Sequence, residues 1–243
     1  MKKPTNVTKN DWELLTNIYK GKEEYLKEML DKNYPIQYLI GYVNFCGLKI
    51  NVNENVLIPR FETELLIEKT IKYINELNLK KPTILDIGTG SGCIATSLSK
   101  FINDAKVSAM DISSNAINLA KENASNNKEN INFIKKDVLK MEEIPYYDVV
   151  ISNPPYVEYG EKIGEEVKYE PEIAVYADDG LIFYRHIIKS IHKDTKLIAF
   201  EIGYLQGAKI IDIIKMKFPN AEIHLEKDYE DRDRFIFVIN KNA

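Results

Sequence analysis

Cysteine and histidine are both scarce in this sequence of 243 residues. Cys46 and Cys93 are the only cysteines and form no CxxC pair, which argues against a disulfide scaffold and gives no indication of a zinc site. The three histidines, His186, His192 and His224, lack the spacing of metal ligands, so we predict no metal site. Two isolated thiols are typical of a reducing cytosol, and we therefore expect a cytoplasmic protein.

Long apolar runs and a strong charge excess are also missing. No segment approaches the roughly 20 apolar residues that cross a bilayer, and the polar start MKKPTNVTKNDWELL does not resemble a signal peptide. The formal net charge is only -4 and both signs are interspersed, so no basic surface is predicted. We therefore expect no membrane association and no direct contact with nucleic acid.

The first part of the chain contains two kinds of pattern. Apolar residues recur at three- and four-residue steps over positions 11–32, with an interruption near Gly21, which predicts two short helices. Pro35 ends this pattern, and residues 42–58 then read as two β segments joined by a turn near positions 53–55. We divide the chain into a short N-terminal helical segment (1–34), a β-hairpin linker (35–60) and a main domain (61–243).

Strand and helix patterns alternate beyond Pro82, and this alternation predicts an α/β fold. The predicted strands cover residues 83–87, 106–110, 131–135, 148–152, 197–201, 221–225 and 235–240. We expect a doubly wound, mainly parallel seven-stranded sheet of the Rossmann-like type with right-handed crossovers. No helical pattern separates the last two strands, so they are expected to pair as a C-terminal antiparallel hairpin. A long segment at 157–179 is expected to have a functional role.

A glycine-rich turn, GTGSG at 88–92, stands between the first of these strands and a helix. Asp111 ends the next strand, where a carboxylate can accept hydrogen bonds from ribose hydroxyls. Position 93 is cysteine, not the glycine of a dinucleotide motif, so the turn fits a cofactor without a pyrophosphate. S-adenosylmethionine is such a cofactor. Asp137 is then placed to bind its adenine amino group, and Val138 to contact the adenine face.

The fourth predicted strand ends in Asn153, Pro154, Pro155 and Tyr156. The two prolines donate no backbone hydrogen bond and hold the chain extended, which leaves carbonyl oxygens available. The Asn153 side-chain oxygen and the Pro154 carbonyl can accept both N–H groups of a planar nitrogen and aim it at a methyl donor. Tyr156 can stack on the flat face of the target. The target is then either an exocyclic base nitrogen or a carboxamide nitrogen.

Eight short motifs are spread over residues 35–240. They are PIQYLIG (35–41), FCG (45–47), LIPRFETE (57–64), LDIGTGSG (85–92), ISNPPY (151–156), YEPEIA (169–174), EIGYLQG (201–207) and DRDRF (231–235). In this combination the chain resembles the HemK/PrmC family, the glutamine methyltransferases that act on peptide chain release factors. DNA amino-methyltransferases share the glycine turn and an N/D-PPY motif, whereas the LIPRFETE block is characteristic of the glutamine family.

The resemblance implies methylation of the glutamine in the Gly-Gly-Gln motif of release factors, with S-adenosylmethionine as methyl donor. The implied catalytic residues are Asn153, Pro154, Pro155 and Tyr156. The predicted cofactor-binding residues are Gly88, Thr89, Gly90, Ser91, Gly92, Asp111, Asp137, Val138 and Asn153. We expect a monomer whose partner is a release factor.

Three alternatives stay open at this point. A ribosomal-protein glutamine methyltransferase would carry the same motifs. A nucleic-acid adenine amino-methyltransferase would need a basic face, whereas the segment 157–179 carries acidic residues. A non-catalytic nucleotide-binding module would not require a complete NPPY motif beside the cofactor turn.

Overall fold

A seven-stranded sheet forms the centre of the main domain. The computed structural model describes residue 3 and residues 7–241. The sheet contains β3 (Thr83–Ile87), β4 (Lys106–Asp111), β5 (Asn132–Lys135), β6 (Val149–Ser152), β7 (Leu197–Glu201), β8 (Glu222–Lys227) and β9 (Asp233–Ile239), and a hairpin pairs β1 (Tyr42–Phe45) with β2 (Leu48–Asn51). The spatial order is β5-β4-β3-β6-β7-β9-β8, with β3 to β7 parallel and β9 antiparallel to both neighbours. The predicted sheet and its C-terminal antiparallel hairpin are confirmed.

The helices are α1 (Lys9–Ile18), α2 (Glu23–Asp31), α3 (Ile36–Ile40), α4 (Phe61–Glu76), α5 (Cys93–Phe101), α6 (Ser114–Asn126), α7 (Glu172–Val175), α8 (Ile182–Ser190) and α9 (Gly207–Lys217). Helices of the main domain cover both faces of the sheet. One apolar core joins the sheet to α4 and α5, and a second joins it to α8 and α9. Successive residues of β3 point to opposite faces, so Ile84 belongs to the first core and Leu85 to the second. Over the described part of the chain, none of these helices has the length and apolar character needed to span a membrane.

The N-terminal helices form a small core of their own. Leu15 of α1, Leu26 of α2 and Leu39 of α3 are buried together with Val7. The helical pattern of positions 11–32 ends before Pro35, as predicted, but the short helix α3 that follows was not predicted, and Pro35 is its N-cap. A proline is tolerated at a helix start, where its missing N–H has no partner to lose.

The hairpin predicted within residues 42–58 is present, but its turn lies earlier than expected. β1 and β2 are joined at Cys46 and Gly47, and both residues have positive φ, as a two-residue hairpin turn requires. Residues 53–55 instead form a turn after β2, in which the Asn53 side-chain oxygen accepts the backbone N–H of Asn55. Asparagine favours turns of several kinds, so the composition of 53–55 could not distinguish a hairpin turn from one that ends a strand.

The linker is attached to α6 by polar and apolar contacts. The Asn123 side chain accepts the backbone N–H of Asn51 at 2.7 Å and donates to the Asn51 carbonyl at 2.9 Å. Val52 and Val56 pack in one cluster with Leu119 of the same helix. These contacts hold residues 55–57 beside the carboxyl ends of the central strands.

The segment 157–179 contains short ordered elements. A 3-10 turn covers Glu165–Tyr169, α7 follows it, and Val157 forms a parallel bridge with Tyr176. The bridge closes the segment into a loop whose ends meet. This geometry places the loop beside the residues that follow β6.

Candidate active site at the carboxyl ends of the strands

The glycine-rich turn after β3 has backbone conformations that glycine adopts easily. Gly88, Gly90 and Gly92 have φ values of +73°, +53° and +78°. A Cβ on Gly88 or Gly90 would meet no atom within 4 Å, whereas one on Gly92 would lie 2.8 Å from the Ala120 Cβ. The first two glycines therefore leave open space beside the turn, and the third allows α5 to approach α6.

Asp111 joins this turn to the end of β4. Its Oδ2 accepts the backbone N–H of Gly90 at 2.9 Å, and its Oδ1 accepts that of Ser113 at 2.8 Å. Burial raises the pKa of the Asp111 carboxyl, and the backbone hydrogen bonds oppose that rise. A carboxylate oxygen can accept more than one hydrogen bond, so both oxygens keep the capacity to bind ribose hydroxyls.

Thr89 and Ser91 are buried within the turn. The Thr89 hydroxyl donates to Asp86 Oδ2 at 2.6 Å, and the Ser91 carbonyl accepts the Asn123 amide at 2.8 Å. Asp86 is fully buried, and burial raises the pKa of its carboxyl to about 7. Sequence reasoning missed Asp86. The signal that could have found it is a single carboxylate in the otherwise apolar strand TILDI.

A first cavity, of about 230 Å³, opens beside the turn. Its lining includes six of the predicted cofactor residues: Gly88, Gly90, Asp111, Asp137, Val138 and Asn153. Thr89, Ser91 and Gly92 are not among the lining residues. Asp137 Oδ1 accepts the backbone N–H of Leu139 at 3.0 Å, so this carboxylate also caps a short 3-10 turn.

The first cavity is completed by segments that the sequence did not connect to it. Val56 and Leu57 of the linker line one side, and Ile173, Ala174 and Phe183 line another. These residues come from segments far apart in the chain, and no local pattern marks them. The linker residues reach the cavity because the linker packs on α6, Ile173 and Ala174 because the loop 157–179 closes on itself, and Phe183 reaches it from α8.

A second cavity, of about 200 Å³, lies on the other side of the NPPY segment. Asn153, Pro154 and Pro155 line both cavities, whereas Tyr156 lines the second alone. The NPPY segment therefore forms the boundary between the two spaces. Groups bound in the two cavities would therefore both lie next to Asn153.

A chain of polar contacts leads away from Asn153. Its Nδ2 donates to Thr63 Oγ1 at 3.3 Å, and the Thr63 hydroxyl donates to Glu201 Oε2 at 2.7 Å. Glu201 is buried at the end of β7, and burial raises the pKa of its carboxyl to about 7. Three distant segments thus meet at one point beside the second cavity.

The walls of the second cavity are fixed by two further contacts. The Arg60 guanidinium lies 2.6 Å from Glu170 Oε1, and the Glu170 side chain is fully buried. The Tyr156 carbonyl accepts the Gln206 amide at 3.0 Å. Burial raises the pKa of the Tyr156 phenol to about 12, so its ring stays neutral at physiological pH.

The residues around the first cavity fit S-adenosylmethionine. Asp111 and Asp137 offer carboxylates to hydroxyl and amino groups, and Val138 offers an apolar contact to a base. The open space beside Gly88 and Gly90 leaves room for a ligand close to the backbone. Among the described residues, no group of three or more histidine, cysteine or acidic side chains is arranged to hold a metal ion.

Comparison with known sequences places this site among methyltransferases. The family described as methyltransferase small domain matches residues 61–169. Proteins named release factor glutamine methyltransferase are similar over most of the chain. The one from Lactococcus lactis is 38% identical over 96% of this chain and 84% of its own, and the one from Flavobacterium psychrophilum is 41% identical over 92% and 82%. The one from Bacillus subtilis is 37% identical over 88% and 79%.

Solved structures share the fold at low sequence identity. The hMettl16 catalytic domain, solved in complex with MAT2A 3′UTR hairpin 1, superposes with a TM-score of 0.61 at 18% identity, over 91% of this chain and 93% of its own. A methyltransferase from Pyrococcus furiosus superposes with a TM-score of 0.54 at 17% identity, over 91% and 98%. At these identities the similarity concerns the fold alone.

Proposed function

The chain belongs to the family of release factor glutamine methyltransferases, and from this premise we propose that it methylates the side-chain amide nitrogen of the glutamine in the Gly-Gly-Gln motif of peptide chain release factors. The methyl donor is S-adenosylmethionine. The observation that carries the proposal is the boundary formed by Asn153, Pro154 and Pro155 between two cavities. One cavity suits the donor and the other suits the glutamine side chain.

S-adenosylmethionine, when bound, supplies a methyl group on a positively charged sulfur. Transfer would form one N–CH3 bond on the glutamine nitrogen at the expense of the donor's S–CH3 bond, and the proton lost from the amide nitrogen would pass to solvent water. An amide nitrogen is a poor nucleophile because its lone pair is delocalised into the carbonyl group. Alignment of that nitrogen with the methyl group therefore accounts for much of the catalysis.

The chain's own residues supply this alignment in our proposal. Asn153 Oδ1 and the Pro154 carbonyl accept the two N–H groups of the glutamine amide, which increases electron density on nitrogen and fixes its direction. Tyr156 contacts the flat face of the amide as a neutral ring. Gly88, Gly90, Asp111 and the pair Asp137–Val138 hold the donor, while Thr89, Ser91 and Gly92 shape the turn beneath it.

The charge of the loop 157–179 supports a protein partner. This loop carries eight carboxylates and two lysines, and Val157, Ile163 and Val167 from it line the second cavity. Such a loop repels a phosphate backbone, so we propose that the enzyme makes no direct contact with nucleic acid. We also propose that it acts as a monomer in the cytoplasm, where a release factor is within reach.

The proposal is tested with the methyl donor carrying an isotopic label. The protein is incubated with a purified release factor, and the labelled peptide is identified by mass spectrometry. We expect the label on the glutamine of the Gly-Gly-Gln motif. A release factor with that glutamine replaced by asparagine is the matched control and should stay unlabelled. Label on a ribosomal protein, on nucleic acid or on another residue of the release factor would contradict the proposal.

A further inference from the structure

We propose that Thr63 and Glu201 are positioning residues that decide which way the Asn153 amide faces, an inference that rests on the proposed function. Neither residue needs to touch the glutamine for this role. Together they hold the Asn153 side-chain oxygen toward the substrate. The direction of each hydrogen bond from Asn153 through Thr63 to Glu201 sets this orientation.

The three residues meet through the tertiary structure. β6 and β7 are parallel neighbours with Ser152 opposite Phe200, so Asn153 and Glu201 stand side by side one residue further on. Thr63 lies in the first turn of α4, where it is buried. Its hydroxyl oxygen lies 3.3 Å from Asn153 Nδ2 and 2.7 Å from Glu201 Oε2.

The direction of the contacts follows from the chemistry of each group. The oxygen and nitrogen of an asparagine amide are exchanged by a half-turn about the Cβ–Cγ axis, and shape alone hardly distinguishes the two states. A threonine hydroxyl has one hydrogen to donate. An ionised carboxylate accepts only, so Thr63 donates to Glu201 and its oxygen can only accept from Asn153.

This directional chain leaves Asn153 Oδ1 as the free acceptor. The opposite amide orientation would place two acceptor oxygens, Asn153 Oδ1 and Thr63 Oγ1, against each other. It would also turn the Asn153 N–H2 toward the substrate, whose amide nitrogen offers N–H groups of its own. The chain from Glu201 through Thr63 therefore selects the orientation in which methyl transfer can occur.

The ionisation state of Glu201 determines how strongly this orientation of the Asn153 amide is favoured. The pKa of the Glu201 carboxyl is raised to about 7: burial is the largest cause and Glu62 adds to it, while the Thr63 hydrogen bond and the nearby Arg234 and Arg60 oppose the rise. Tyr156 and Tyr184 also lie near it; the pKa of Tyr156 is about 12 and burial raises the pKa of Tyr184 well above its usual value, so both phenols stay neutral. A protonated Glu201 can itself donate to Thr63. The preference for the Asn153 orientation that turns Oδ1 toward the substrate is therefore strongest above about pH 7.

The first test compares three threonine variants by kcat, by KM for the release factor and by calorimetric affinity for S-adenosylmethionine. Thr63→Val removes the hydroxyl with little change of shape, and Thr63→Ser restores it. Thr70→Val is the matched control, because Thr70 is a buried threonine of the same helix whose hydroxyl donates to the Leu66 carbonyl.

We expect Thr63→Val to lower kcat at least about tenfold, with cofactor affinity and KM changed less than about twofold. Thr63→Ser should recover most of the lost kcat, and Thr70→Val should keep the wild-type kcat. The inference is overturned if Thr63→Val keeps kcat within about twofold of wild type, or if Thr70→Val loses as much. Absence of label on the release factor with the wild-type protein would overturn the proposed function, whereas failure of the inference alone would leave wild-type labelling intact, so the two failures are distinguishable.

A second variant keeps the inference testable if Thr63→Val does not fold. Glu201→Gln preserves the shape of the side chain, but the glutamine amide can either donate a hydrogen bond to Thr63 or accept one from it. Wild-type kcat should rise between about pH 6 and pH 8 as Glu201 ionises, and Glu201→Gln should be slower at pH 8 with that rise abolished. A variant that keeps the wild-type rate and the same rise would exclude Glu201 from this role.

Discussion

Single polar side chains determine what each cavity can hold. Asp111 uses one lone pair on each carboxylate oxygen for the backbone N–H groups of Gly90 and Ser113, and so orders the turn while facing the first cavity. Asn153 stands at the boundary and contacts both cavities. Asp86 has a different role, because it is fully buried and bonds the Thr89 hydroxyl under the turn.

Asp111→Asn should weaken S-adenosylmethionine binding by about 10- to 100-fold, the effect of losing about 1.5–3 kcal/mol from hydrogen bonds to a charged acceptor. The replaced oxygen becomes an N–H2 group that faces a backbone N–H, so the turn also loses a partner. Calorimetric titration with the cofactor measures the change. Asp104→Asn is the matched control, since Asp104 is exposed and its ion pair with Lys81 contributes little to the free energy of unfolding. Unchanged affinity for Asp111→Asn would contradict the assignment.

At the scale of elements, the loop 157–179 is held against two other parts of the chain. Glu170 is paired with Arg60 at the start of α4. The Tyr169 hydroxyl donates to the Lys32 carbonyl at 2.8 Å, and its ring lies edge-on to Tyr34 at 5.0 Å between centroids. The N-terminal segment and α4 therefore both restrain the loop that borders the second cavity.

Arg60→Met should loosen this loop, because it leaves the buried Glu170 carboxylate without its cation. The cost is on the order of 2 kcal/mol, allowing for the partial exposure of Arg60. Amide hydrogen exchange over residues 157–179 should accelerate about 30-fold, since exchange from locally open states follows the opening free energy. Lys168→Met removes an exposed pair with Glu165 in the same loop and should leave exchange unchanged. Equal exchange in the two variants would show that the Arg60 pair does not restrain the loop.

At the scale of the whole molecule, the described chain contains separate apolar cores. The N-terminal helices share a small cluster around Leu15 and Leu26, while the sheet is packed on both faces by larger clusters. The linker and Tyr169 connect the two parts. We therefore propose that the segment 1–34 and the domain 61–243 are distinct units of stability joined by the linker 35–60, which contributes Leu39 to the N-terminal core and Phe45 and Ile50 to the core of the sheet.

Leu26→Ala should destabilise the N-terminal unit by about 2–5 kcal/mol, because it removes fully buried methyl groups from a small core. Hydrogen exchange should rise in α1 and α2 and stay slow in β3, β6 and β7. Leu98→Ala is the matched comparison, since this leucine is equally buried in α5 within the core of the sheet. It should accelerate exchange in the strands. If Leu26→Ala accelerated exchange in the strands to the same degree, the units would not be distinct.

Local patterns predicted the central sheet well. The strands at 83–87 and 197–201 are found as predicted, because parallel strands buried on both faces are continuous apolar runs ended by turn residues. The hairpin turn was misplaced, because the positive φ of Cys46 has no signature in its residue type. The short α3 after Pro35 was missed for a similar reason, since one turn of helix shows no periodicity.

The fold class, the glycine turn and the NPPY segment were predictable from local patterns, because each depends on residues close together in the chain. Which side chains meet follows from the tertiary structure. Thr63 and Glu201 are 138 positions apart, and only the parallel pairing of β6 with β7 and the packing of α4 bring them to Asn153. The linker and the loop 157–179 reach the two cavities by the same kind of long-range packing. Such contacts depend on strand order and helix placement, which no local pattern of residues encodes.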